Sequence, residues 1–206
     1  MVDQIKAAGG EALAIQADVA DEGQVLAMFK AVDQQLGALS ALVNNAGVVD
    51  VASRVDGMSA QRLRRMFDIN LLGSFFCARE AVRRMSTVHG GQGGSIVNVS
   101  SVAAKLGGTG QYVDYAASKG AIDTMTIGLA KEVALEGIRV NAVRPGIIDT
   151  EIHASGGQPN RVREMTPQLP MKRPGTAEEV AQAIMWLVSP LSSYTTGSFV
   201  DVTGGR

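Results

Sequence analysis

Ser95-Ile-Val-Asn-Val-Ser100 decides the fold. Apart from Asn98 its interior is apolar and β-branched, and the turn His89-Gly-Gly-Gln-Gly-Gly94 leads into it. A run of this length and composition reads as a strand buried on both faces, as in parallel sheets. Similar segments recur to either side. Ala41-Leu-Val-Asn44 lies upstream, Ile138-Arg-Val-Asn-Ala-Val143 and the stretch from Gly197 to Val202 lie downstream, and Ala12 to Ala17 forms a shorter apolar run. Helical patterns fill the intervals. Asp21 caps a helix with Val25, Met28, Phe29, Val32 and Leu36 on one face, and Gly37 stops it. A long helix is predicted from Ser59 to about Val88, with Leu63, Phe67, Leu71, Phe75 and Ala78 on its apolar side. Another runs from Val113 to about Glu136. The capping box Thr176-Ala-Glu-Glu179 opens a last one through Leu187. Residues 1–8 read as a helix tail stopped by Gly9-Gly10. Strands alternating with helices predict an α/β, doubly wound parallel sheet with helices on both faces, in one domain spanning 1–206.

The composition narrows the function classes. A net charge of −1 gives no footprint for nucleic acid or an anionic membrane surface. The single cysteine, Cys77, excludes an internal disulfide and fits a reducing, cytoplasmic setting; its apolar helix marks it as core. No apolar run approaches the ~18 residues of a membrane span, and the first residues do not form a signal peptide. Two histidines and no cysteine cluster offer no zinc spacing, so no metal is expected.

In parallel sheets ligands sit at the carboxyl ends of the strands. Asp18, Asn44, Asn45, Ser100, Ser101, Arg144 and Pro145-Gly146 all follow strands and should gather along one edge. Near that edge lies Tyr112-Val-Asp-Tyr-Ala-Ala-Ser-Lys119. On a helix, Tyr115 and Lys119 project from one face, a turn apart. A free phenol has a pKa near 10, and a nearby ammonium lowers it. Such a pair is suited to moving a proton to or from a hydroxyl or carbonyl oxygen. An isolated Y-x-x-x-K is more often a buried tyrosine beside a surface lysine; here the company of the pair decides.

That company resembles the short-chain dehydrogenase/reductase family. Asn44-Asn-Ala-Gly47 resembles its N-N-A-G, Asp18-Val19 its adenine-contacting D-V, and Tyr115 with Lys119 its Y-x-x-x-K. Asn70 in Asp-Ile-Asn-Leu-Leu-Gly73 resembles its helix-kinking asparagine, and Pro145-Gly146 with Thr150 its P-G-x-x-x-T. The resemblance implies a Rossmann-like fold, a nicotinamide cofactor (NAD or NADP), and hydride transfer between that cofactor and a secondary alcohol or ketone. It further implies a homo-oligomer, a dimer or tetramer. Tyr115 is then the general acid/base, Ser101 steadies the substrate oxygen, Lys119 tunes Tyr115 and binds the ribose, and Asn70 holds a water in a proton relay. Facing alternates along a strand, so only one of Ser100 and Ser101 points at the site; Ser101 is chosen as the second of the pair. Cofactor contacts are expected from Asp18, Val19, Asn44, Ala46, Gly47, Tyr115, Lys119, Pro145, Gly146, Ile148 and Thr150. Asn44 and Asn45 are expected to brace neighbouring strands as well. Residues 147–175 should lie over the pocket, where Arg161, Arg163 and His153 hint at a polar, sugar-like or acidic ligand. Arg79, Arg83 and Arg84 read as a solvated helix face.

The chain departs from the family's pattern at its start. It holds no glycine-rich turn between a strand and a helix, so a βαβ unit with the first two strands is expected to be absent. With it the family's cradle for the pyrophosphate is missing, and cofactor binding is expected to be weak. A non-catalytic assembly module, associating through residues 176–203, is the rival reading.

Overall fold

The computed structural model describes residues 1–206. In chain order the elements are α1 (Val2–Ala7), α2 (Glu22–Gln35), β1 (Ala41–Asn44), α3 (Ala60–Phe67), α4 (Gly73–Met85), β2 (Gly94–Val99), α5 (Ala103–Leu106), α6 (Val113–Glu132), β3 (Ile138–Pro145), α7 (Ile152–Ser155), α8 (Arg161–Met165), α9 (Ala177–Val188) and β4 (Phe199–Val202). The four strands form one parallel sheet in the order β1-β2-β3-β4.

Alternation along the strands divides the core. Ile96 and Val140 face α2, α4 and α6, where Val25, Phe29, Ala81, Met85 and Ala130 close over them. Val97 and Val143 face the other way, against Leu187 and Ile184 of α9. Helices therefore cover both faces, as alternation of the elements predicts. Asp21 caps α2 by accepting from the Gln24 N–H, and Thr176 with Glu179 closes a capping box on α9. Gly37 (φ 82°) and Gly137 (φ 76°) take up the left-handed turns at their helix ends.

Three expectations need correction. The run Ala12–Ala17 is not a strand: no backbone hydrogen bond reaches residues 11–17, because no strand lies alongside to pair with them. The long helix is broken into α3 and α4 by a π-helical turn at Asp68–Leu72. An extra residue in that turn rotates the inward face. Met66, Asn70, Cys77, Ala81 and Met85 are buried, while Phe75, assigned to the apolar side, is 48% exposed. Finally, Arg79, Arg83 and Arg84 are not merely solvated. All three pair with buried Glu80, Arg79 reaches Glu22, and Arg84 reaches Asp33, tying α4 to α2.

Met85 is fully buried in the larger core cluster, whereas Val88, just beyond the helix, is 73% exposed. Met85→Ala should cost about 2–5 kcal/mol in denaturant unfolding, and Val88→Ala should stay within about 0.5 kcal/mol.

Candidate active site

The carboxyl ends of β2 and β3 open onto a cavity of about 900 Å³. Ser100 and Ser101 follow β2. The Ser100 N–H donates to the Val143 carbonyl and the Val102 N–H to Pro145, so the chain stays stitched to β3 as it leaves the strand. The two serines then diverge. The Ser100 hydroxyl turns to α6 and donates to Asp123 Oδ1 at 2.6 Å. The Ser101 hydroxyl accepts from the Ala103 N–H at 3.1 Å and lies beside the Tyr115 phenol, toward which its own proton is directed.

Tyr115 and Lys119 come from the first and second turns of α6 and both line the cavity. Lys119 is 4% exposed. Its ammonium donates to the Val99 carbonyl at 2.7 Å and makes no other hydrogen bond within the protein. Burial pushes its pKa down to about 8, against the opposing charge of Asp123. The ammonium sits 5.8 Å from the centre of the Tyr115 ring. Here the structure corrects the expected tuning: burial dominates at Tyr115 and raises its pKa, with only the Ser101 hydroxyl pulling the other way.

Asn70 occupies the π-helical turn and is wholly buried. Its Oδ1 accepts from the Val48 N–H at 2.7 Å, and its Nδ2 donates to the Val48 carbonyl at 2.9 Å and to Ser118 Oγ at 3.1 Å. Ser118 Oγ in turn donates to the Tyr115 carbonyl at 2.7 Å. One side chain thus fixes both the loop after β1 and the start of α6. A Cβ on Gly47 would lie 3.4 Å from Asn70 Oδ1 and from Lys119 Nζ, so the bare glycine sets the width of the cavity there.

Of the other nominated residues, Pro145, Gly146, Ile148 and Thr150 line the cavity with Gly47. Asp18, Val19, Asn44 and Ala46 lie outside it. Asp18 accepts from the Ala20 N–H, Val19 packs against the larger core cluster, and Ala46 is exposed. Asn44 donates to Asn98 Oδ1 at 2.9 Å and to the Ser74 carbonyl, bracing β1 against β2 and α4. Arg161 and His153 are in the wall; Arg163 is exposed and outside it. Cys77 is buried in the core, its thiol pushed up to about 11.

Two buried ion pairs escaped the sequence. Arg62 on α3 grips Asp114 at 2.7 and 3.2 Å and also holds the Val51 carbonyl, clamping the loop before α3 to the first turn of α6. Arg144 pairs with Asp123 at 2.9 Å beneath Ser100. Both join residues far apart in the chain, and no local spacing announces them.

With the geometry in place, the likenesses to known proteins are informative. The protein-family model described as enoyl-(acyl carrier protein) reductase matches residues 1–206. An uncharacterized oxidoreductase of Escherichia coli K12, YgfF, is 57% identical over 206 residues, covering all of this chain and 83% of the relative. A crystal structure of a short-chain type dehydrogenase/reductase from Mycobacterium marinum superposes with a TM-score of 0.92 at 34% identity, over 99% of this chain and 79% of that one. A blue fluorescent protein from a metagenomic library, solved in complex with NADPH, superposes with a TM-score of 0.88 at 33% identity, over 99% and 79%.

A depressed lysine pKa means that a buried charge opposes folding. Between about pH 8 and 10.5 the unfolded chain binds the proton and the folded one does not, so Lys119 makes stability rise with pH in that window. Lys119→Met removes that penalty but also the bond to the Val99 carbonyl, so the pH trend rather than the net stability is diagnostic: relative to wild type the variant should lose stability as pH rises from about 7 to about 10. Denaturant unfolding of both proteins at about pH 7 and pH 10 checks that relative loss.

Proposed function

Because the chain belongs to the short-chain dehydrogenase/reductase family, we propose that it is an oxidoreductase moving hydride between a nicotinamide cofactor, NAD or NADP, and the carbinol or carbonyl carbon of a small secondary alcohol or ketone. The observation that carries the reading is the meeting of Ser101, Tyr115 and Lys119 at the wall of one cavity, with donors of Lys119 unspent. The residues fit the cofactor's nicotinamide and ribose. Lys119 has two N–H groups free for hydroxyls, and Gly47 leaves room beside them. Pro145, Gly146, Ile148 and Thr150 supply the facing wall. Bound there, the cofactor supplies or accepts the hydride.

The chain's own residues handle the proton. In reduction, Tyr115 gives its phenolic proton to the carbonyl oxygen as hydride reaches the carbon; in oxidation it takes the proton back. Ser101 donates to that oxygen and steadies its developing charge. Burial keeps the phenol protonated at neutral pH, which suits it to donate. Lys119 stabilises the phenolate left behind, and its charge at neutral pH is the condition for doing so. Asn70 acts as a positioning residue through Val48 and Ser118. A module that only assembles has no use for such a constellation in a cavity.

Tyr115→Phe should lower kcat about 10²–10⁴-fold, and Ser101→Ala about 10²-fold, with circular dichroism unchanged. Cofactor-dependent absorbance change across a panel of ketones and secondary alcohols is the readout; equal rates in wild type and Tyr115→Phe would sink the assignment. Alcohol oxidation, which needs the phenolate, should accelerate as pH rises from neutrality toward about 8 and gain less beyond it, where Lys119 loses its charge, while ketone reduction should not gain over the same range.

A further inference from the structure

The far wall of the cavity carries more positive charge than the chemistry uses. Arg161, at the start of α8, is held by the side-chain oxygens of Gln111 (3.0 Å) and Gln158 (2.6 Å), and its guanidinium lies 5.0 Å from the centre of the Tyr112 ring. Arg206 reaches the same wall from the segment after β4. Neither guanidinium is paired with a carboxylate; Arg64, Arg65, Arg139 and Arg163 are also unpaired, but only Arg161 and Arg206 among the arginines line the cavity. Glu151 also lines the cavity but forms no ion pair with either. A guanidinium does not shed its proton to escape burial. Desolvation and the field of Arg161 both bear on Arg206, and the same field bears on His153. His153 Nε2, in that wall, is buried with no hydrogen-bond partner. A pair of like charges beside an unsatisfied polar atom is costly unless an anion completes the set.

We propose that the substrate carries an oxyanion, a carboxylate or a phosphate, which docks against Arg161 and Arg206 while its reacting oxygen lies at Ser101 and Tyr115; this rests on the hydride-transfer reading of the site. Two planar forks suit bidentate recognition of such a group. Arg161 lies over the ring of Tyr112, the N-cap residue of the helix that carries Tyr115, so the charged wall and the reacting phenol belong to the same end of α6. A hydroxy or keto acid, or a phosphorylated ketone, carries both the oxyanion and the reacting oxygen. His153 Nε2 is placed to bond a further oxygen of the same molecule.

The test uses matched pairs: acetoacetate, levulinate and a longer keto acid, each beside its primary amide, and dihydroxyacetone phosphate beside dihydroxyacetone. The charged member of at least one pair should be preferred about tenfold or more in kcat/KM. Which pair shows the preference separates carboxylate from phosphate. Arg161→Ala and Arg206→Ala should each collapse that preference, mainly through KM, and Arg161→Lys should restore part of it. Equal use of charged and neutral partners by the wild type, or a preference that survives both alanine variants, overturns the proposal. Calorimetric titration of levulinate and of dihydroxyacetone phosphate, with and without NAD or NADP, reads the subsite without turnover. Arginine-dependent heat without turnover of any pair keeps the anion site and removes the hydride-transfer reading. Turnover of neutral ketones with no arginine-dependent binding does the reverse. Tyr115→Phe should retain the binding heat, which separates loss of the subsite from loss of chemistry.

Discussion

The hydrogen bond from the Lys119 ammonium to the Val99 carbonyl holds the site together. It joins the last residue of β2 to the second turn of α6, and so fixes where the helix carrying Tyr115 sits over the sheet. The bond also explains why a buried cation is tolerated. A lone ammonium in that position would be expelled or neutralised, whereas one bonded to a strand-end carbonyl, with Asp123 close by, keeps its proton at neutral pH. Two donors remain free because the cavity takes no other acceptor from the chain. The interaction that stabilises the position is therefore also the one that leaves it reactive.

A second layer of constraints holds that arrangement. The π-helical turn at Asp68–Leu72 swings Asn70 inward, where its amide satisfies both backbone groups of Val48. Arg62 and Asp114 clamp the first turn of α6 to the neighbouring loop. Ser100, Asp123 and Arg144 lock the underside of the same helix to β3. None of these side chains need touch a substrate. Together they leave Tyr115 few ways to move, which is what proton transfer over a short distance requires.

Much of this was legible from local pattern. Apolar runs of strand length placed Ala41–Asn44, Gly94–Val99 and the strand from Ile138 within a residue or two, because burial on both faces leaves a strong compositional mark. Alternation of facing showed that only one of Ser100 and Ser101 turns to the cavity, while the choice of Ser101 came from the family resemblance. What local pattern does not carry is a partner. Residues 12–17 have the composition of a strand, yet a strand exists only beside another. Phe75 fits a regular stripe, but the π-helical turn leaves it exposed while Leu71 and Ala78 of the same stripe still pack into the core. The electrostatics misled for a similar reason: spacing alone put Lys119 next to Tyr115, but depth of burial, a property of the whole fold, set the direction in which the phenol shifts. Arg206 and Asp123 entered the site through contacts that no short window of sequence contains.

The sheet has a consequence for how the chain acquires its shape. Its register pairs Ala41 with Ser95, Gly94 with Ile138, and Ala142 with Phe199. No strand can find its neighbour until an entire intervening helix has emerged and the ends of a long loop have met. Local helix formation must come early, while every ladder waits on closure of a distant contact. During synthesis, the edge of each strand stays bare until its successor arrives, and in that interval the nascent molecule is most exposed to wrong pairings.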